Sequence, residues 1–236
     1  MTADRLLAWD GCVNVRDLGG LPTEAGGETR FRAVVRADSI RGLSDVGWAA
    51  LADYGVRAAI DLRAAYEWDE DPPGEVPIPL IRIPIAPRDA PVAFNWPSML
   101  EAYLALLEQF QPQYAEVIDT VGREEPAVVI HCSGGRDRTG LAAALLLRLA
   151  GVDPDTIAAD HALSDRSWGP HNEEWFAEAS TVDERERRRR IAAPAGRTMA
   201  EVLAQVDGRY GSVVDYLLAG GATKDGLAAA ARRLTG

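Results

Sequence analysis

Residues 127–141 read Ala-Val-Val-Ile-His-Cys-Ser-Gly-Gly-Arg-Asp-Arg-Thr-Gly-Leu, and this stretch constrains the fold more than any other. The β-branched run Val128, Val129, Ile130 has no polar alternation, as a strand buried on both faces in the middle of a parallel sheet requires. A Gly-rich loop follows, and an apolar helix is predicted over 141–149. Other apolar runs at 31–35, 56–60 and 80–83 read as further short strands with helical patterns between them. The expected fold class is therefore α/β, a mainly parallel sheet of four or five strands wrapped by helices.

The loop between strand and helix has the composition of an anion cradle. Gly134 and Gly135 let successive backbone N–H groups converge on one point, and the helix dipole adds to it. Cys132 stands at the strand end, where cationic neighbours and a helix N-terminus favour a nucleophilic thiolate. Arg138 can clamp two oxygens of a tetrahedral oxyanion, and the Thr139 hydroxyl can stabilise the thiolate as it leaves. Taken singly, a buried cysteine or a Gly-rich turn is ordinary packing. Taken jointly, they make a phosphate cradle with a nucleophile at its floor. No Lys precedes Thr139, so the Gly-x4-Gly-Lys-Ser/Thr nucleotide loop is excluded.

His131-Cys132, five residues, then Arg138-Thr139-Gly140 resembles the signature of the cysteine-dependent protein tyrosine phosphatase superfamily. The fuller string 131–140 is similar to an atypical bacterial and fungal branch that includes a secreted mycobacterial enzyme. Two distant elements match the same branch: Asn14-Val15-Arg16-Asp17-Leu18-Gly19-Gly20, and Asp61-Leu62-Arg63 with Glu67 beyond it. On the residues alone, the first is a tight turn closed by the Asp17 side chain. The second is an Arg63–Glu67 pair on one helical face. Arg36-Ala37-Asp38-Ser39-Ile40 is a looser match, and 210–217 resembles a closing segment of the branch.

The resemblance implies a phosphomonoesterase that hydrolyses phosphotyrosine, and on some substrates phosphoserine, phosphothreonine or phosphoinositides, through a phosphocysteine intermediate. Cys132 would be the nucleophile, Arg138 the clamp, Thr139 the aid to thiolate departure and His131 the support of the loop. Ser133, Gly134, Gly135, Arg136, Asp137 and Arg138 would hold the phosphate. The general acid stays open. Trp96-Pro97 is followed by Ser98 rather than Asp, so the acid shifts to Asp137, with Asp61, at a strand end, and Asp89 as alternatives. Arg136 stands where phosphoinositide-active members carry Lys, which keeps the charge and changes its shape. A silent phosphate-binding module is the rival from another class, although nucleophile, clamp and hydroxyl are all present.

The chain has 236 residues, 47% of them hydrophobic and 26% charged, which fits one phosphatase domain over 1–236. Its net charge of −11 argues against a nucleic-acid partner. The expected partner is a phosphorylated protein or a phospholipid headgroup. Two cysteines give no disulfide framework, the N-terminus lacks a leader pattern and no apolar run reaches spanning length. The expectation is a cytoplasmic protein without membrane insertion. Cys12 reads as a structural thiol. His131, His161 and His171 are too scattered for a metal site, and no cofactor is implied. Residues 167–194 combine Trp168, Trp175 and Phe176 with a charge-dense run over 184–190. They read either as a solvated helix or as a helical lid inserted over the site, the latter by likeness to the mycobacterial branch. His161 and Tyr103 read as core.

Overall fold

The computed structural model describes residues 5–72, 74–86, 96–194 and 197–236; Arg88 and Asp89 lie outside these residues, as does the start of the N-terminal segment. In chain order the strands and α-helices are β1 (Arg16–Asp17), β2 (Val34–Ala37), α1 (Asp45–Tyr54), β3 (Ala58–Asp61), α2 (Ala65–Glu70) and β4 (Leu80–Arg82). There follow α3 (Met99–Gln109), α4 (Gln111–Arg123), β5 (Val128–His131), α5 (Arg138–Leu149), α6 (Pro154–His161) and α7 (Leu163–Ala177). The chain closes with α8 (Val182–Ile191), α9 (Thr198–Tyr210), α10 (Val213–Ala219) and α11 (Lys224–Thr235).

The sheet order is β1-β2-β5-β3-β4, antiparallel only between β1 and β2, so the expected α/β class and strand number hold. Strand β5 is central, as its unbroken apolar run requires. Val128 and Ile130 enter the larger core with α4 and α5, while Val129 packs on the other face with Leu51 and Trp9. The helix starts follow local chemistry. Ser44, Ser98 and Asp153 cap α1, α3 and α6 by accepting from Gly47, Glu101 and Thr156 amides, and Gly55 ends α1 in the left-handed region.

Two boundaries differ from the sequence expectation. The strand expected at 31–35 begins only at Val34, because Arg32 turns with a φ of 61° and its amide donates to Asp17 Oδ2 at 2.8 Å. The helix expected from Leu141 starts at Arg138, so its first amides belong to the loop. Among the described residues, no helix is long and apolar enough to cross a membrane.

Candidate active site

The parallel strands β2, β5 and β3 end together, and the loop 132–137 rises from that edge into α5. Gly135 takes a φ of 63°, and a Cβ there would lie 2.4 Å from the Ala37 carbonyl oxygen, so only glycine lets the loop turn against β2. The loop is braced from several directions. Asn14 Nδ2 donates to the Gly134 carbonyl at 2.9 Å, and Arg36 Nη2 to the Gly135 carbonyl at 2.8 Å. Ser39 N donates to the Ser133 carbonyl at 2.9 Å. The tight turn expected at Asp17 is present too, with Gly19 N donating to Asp17 Oδ1 at 2.6 Å.

Behind the loop lies a buried charge cluster. Asp160 on α6 accepts from Arg5 at 2.5 Å, Arg16 at 3.1 Å and Arg36 at 3.1 Å, all four side chains being no more than 2% exposed. Burial opposes the Asp160 carboxylate, yet Arg16, Arg36 and Arg5 hold its pKa well below the ordinary range. Burial lowers the Arg36 pKa to about 9, with Arg16 acting in the same direction and Asp160 opposing.

Cys132 is buried at the floor of a cavity of about 440 Å³. Ser133, Gly134, Arg136, Asp137 and Arg138 line one side of it, and Asp165, Trp168, His171, Asn172 and Trp175 from α7 line the other. Trp168 Nε1 donates to the Gly134 carbonyl at 2.7 Å, which ties α7 to the loop. Arg187, Arg189 and Arg190 on α8 are exposed, whereas Trp168 and Trp175 of α7 line the cavity.

Arg138 reaches Glu67 through both terminal nitrogens, and Glu67 also accepts from the Ser133 hydroxyl and from Ala64 N at 2.6 Å. Burial opposes the Arg138 charge, but the neighbouring Cys132 and Glu67 raise its pKa above the ordinary value. Burial likewise opposes the Glu67 carboxylate, and Arg138 with Ser133 nonetheless brings its pKa down to about 2. The Arg63–Glu67 pair read from the spacing is therefore absent. Arg63 is held by Asp61 instead, Nη2 to Oδ2 at 2.9 Å, and Glu67 turns across to the loop.

The other expected site residues separate into two groups. Asp137 is the N-cap residue of α5 but does not cap it; its Oδ1 accepts from the Tyr103 hydroxyl at 2.6 Å, and it lines the cavity. The Thr139 hydroxyl is fully buried and makes no hydrogen bond within the described residues. His131 and Asp61 lie beneath the loop, each 1% exposed, with Nε2 3.8 Å from Oδ2. Burial lowers the His131 pKa, and Asp61 opposes that effect. Asp61 also accepts from Trp68 Nε1 at 2.8 Å and does not line the cavity. Arg136 turns away from the loop: Nε pairs with Asp165 at 2.9 Å, while Nη1 and Nη2 donate to the Ile191 and Ala193 carbonyls, each at 2.5 Å. Cys12 Sγ donates to the Ser39 carbonyl at 3.4 Å, and burial raises its pKa, so it stays a thiol.

Sequence reasoning missed Tyr103 and Asp160 and underrated Glu67, whereas Trp168 is among the aromatics that the lid reading names. Tyr103 sits on an apolar helical stripe that masks its hydroxyl. Glu67 alone carried a signal, its place in the Asp61–Glu67 element.

The sequence profile of the tyrosine phosphatase family matches residues 7–236. A tyrosine-protein phosphatase of Nostoc commune is 35% identical over 141 residues, covering 56% of this chain and 48% of the relative. The chain thus spans about half of that relative's length. A putative tyrosine-protein phosphatase of Cupriavidus necator is 26% identical over 234 residues, covering 89% of this chain and 82% of its own. Among solved structures, TpbA of P. aeruginosa in complex with phosphotyrosine covers 81% of this chain and 98% of its own, with 17% identity and a TM-score of 0.38.

Proposed function

Because the chain belongs to the tyrosine phosphatase family, we propose that it hydrolyses aryl phosphate monoesters, phosphotyrosine in proteins foremost, through a phosphocysteine intermediate. One observation carries the reading: Cys132 lies at the floor of a glycine-turned loop at the N-terminus of α5, beside an Arg138 fork held by Glu67. Glu67 takes the edge formed by the two terminal nitrogens, which leaves the Nε edge of the fork for two phosphate oxygens.

The Cys132 thiolate attacks phosphorus in line with the ester oxygen, forming the S–P bond as the P–O bond breaks. Loop amides and Arg138 take up the charge on the equatorial oxygens. Asp137 protonates the departing aryloxide. Its carboxylate then removes a proton from water as water attacks the phosphocysteine, and the Cys132 thiolate leaves beside the unpartnered Thr139 hydroxyl. Asp137 is preferred to Asp61 because it lines the cavity, whereas Asp61 is committed to Arg63 and Trp68. His131 supports the loop from below.

The phosphoinositide reading draws less support. Arg136, the residue that would meet a ring phosphate, is engaged by Asp165 and two carbonyls. The cavity's aromatic wall suits an aryl leaving group better. In the same reading, residues 167–194 act as a lid on a single phosphatase domain. Purified protein should hydrolyse p-nitrophenyl phosphate and a phosphotyrosine peptide, and Cys132→Ser should abolish both. A wild-type protein inert on both substrates, or an active Cys132→Ser variant, would show the mechanism to be wrong.

A further inference from the structure

Tyr103 on α3 and His161 on α6 stand behind the loop, outside the cavity lining. The Tyr103 hydroxyl donates to Asp137 Oδ1 at 2.6 Å and lies 3.1 Å from His161 Nε2. We infer that Tyr103 and His161 are positioning residues for the Asp137 carboxyl, Tyr103 holding one oxygen so that the other is presented to the leaving group. The inference rests on the reading of Asp137 as the proton donor.

The hydrogen-bond arithmetic fixes the direction of the chain. A phenol has one proton, and Tyr103 gives it to Asp137. Its oxygen can then only accept from His161, so Nε2 carries the hydrogen. In the neutral ring the lone pair is then on Nδ1. Burial, then Arg36, Arg136 and Arg16, hold the His161 pKa well below the ordinary value against the single carboxylate Asp160. Tyr103 in turn keeps its proton, since burial and the Asp137 charge push its pKa far up, with Arg136 opposing and Asp165 adding to the rise.

The packing is specific to this arrangement. The two rings meet edge to face at 5.6 Å and 87°. A Cβ on Gly140 would lie 2.6 Å from His161 Cε1 and Nδ1, so the imidazole reaches this place only because the first turn of α5 carries no side chain there. Polar groups buried this deeply are costly unless satisfied, and the contact satisfies the Tyr103 hydroxyl, His161 Nε2 and the loop carboxyl, while His161 Nδ1 has no hydrogen-bond partner among the described residues.

A hydroxyl that donates to a carboxylate favours its ionised form, so the pH profile of the reaction reads whether the Tyr103 hydroxyl is present. The titratable and charged groups that act on this hydrogen-bond chain are Arg136 on the loop, Tyr114 on α4 and Asp165 on α7, with Arg36 on β2, Arg16 on β1 and Asp160 on α6 facing His161.

The test uses the full chain and compares Tyr103→Phe, His161→Ala, His161→Gln and Asp137→Asn. It measures kcat/KM on phenyl phosphate, a poor leaving group, and on p-nitrophenyl phosphate, a good one. For Tyr103→Phe the loss should be about tenfold on phenyl phosphate and about twofold or less on the nitrophenyl ester, with the alkaline limb of the pH profile displaced upward. His161→Ala should follow the same pattern and His161→Gln, which keeps an N–H donor, should recover most of the loss. Should Tyr103→Phe fail to fold, the two His161 variants carry the same comparison. Equal losses on both esters with an unmoved alkaline limb would overturn the inference. If Asp137→Asn shows the leaving-group dependence and Tyr103→Phe does not, the positioning role alone is wrong. If Asp137→Asn itself shows none, the assignment of the acid fails and this inference goes with it.

Discussion

Glu67 and Arg138, 71 positions apart, are joined by two hydrogen bonds, Nη1 to Oε2 at 2.5 Å and Nη2 to Oε1 at 2.9 Å. The pair aligns the only loop guanidinium that the described residues leave facing the cavity without an anchor in the α7–α8 wall. Glu67→Gln should keep a hydrogen bond and lose the charge, lowering kcat/KM on aryl phosphates and destabilising the fold by about 2 kcal/mol. Steady-state kinetics and urea unfolding measure the two effects. The pH dependence has a definite sign. With its folded pKa depressed to about 2, Glu67 contributes stability that is complete above its unfolded value and is lost as pH falls through about 2.

Asp160 gathers three guanidiniums that its removal would leave buried with no carboxylate among them. Asp160→Ala is expected to cost about 3–5 kcal/mol in urea unfolding, because an uncompensated buried charge costs more than the intact pair contributes. Its depressed pKa implies stabilisation that is full above the unfolded Asp pKa and lost only in strong acid. Unfolding curves taken at neutral pH and near pH 5 should therefore show the wild type keeping this contribution whole, with the loss setting in as pH falls below the unfolded Asp pKa.

Gly135→Ala forces a side chain into the left-handed region with a backbone carbonyl in its path. Strain of about 1–3 kcal/mol falls on the loop alone, so vanadate inhibition should weaken by more than about tenfold while the far-ultraviolet circular dichroism is retained. A variant with wild-type vanadate affinity would mean the loop tolerates the added methyl group.

Trp168→Ala removes an aromatic wall and the donor to Gly134. KM for phenyl phosphate should rise roughly fivefold, the equivalent of about 1 kcal/mol of aromatic contact. Inorganic phosphate, gripped by the loop, should inhibit with an affinity changed by less than about twofold. Competitive inhibition constants distinguish the two effects.

Sequence alone revealed the central strand and the cradle, because each is written in neighbouring residues, as the helix caps also are. Ser44, Ser98 and Asp153 cap helices by bonds three residues long. The expected residues Cys132, Asp137 and Arg138 do line one cavity. The rest escaped because its logic spans the chain. Tyr103 has the spacing of a core residue and is one, apart from an oxygen that reaches residue 137. Arg136 looks like a phosphate ligand until α7 and the end of α8 supply Asp165 and the Ile191 and Ala193 carbonyls to receive it. The misplaced start of β2 has a similar origin, since Asp17 of another strand sets the turn at Arg32.

The sheet order has a consequence for how the protein acquires its chemistry. With β5 seated between β2 and β3, the contacts that shape the loop join residues 14 to 134, 36 to 135, 67 to 138 and 103 to 137. None can persist until distant stretches have met, and such closures are slow. During refolding from urea, helix signal should return before the capacity to bind vanadate. The oxyanion hole is then a reporter of the finished topology, filled last and emptied first.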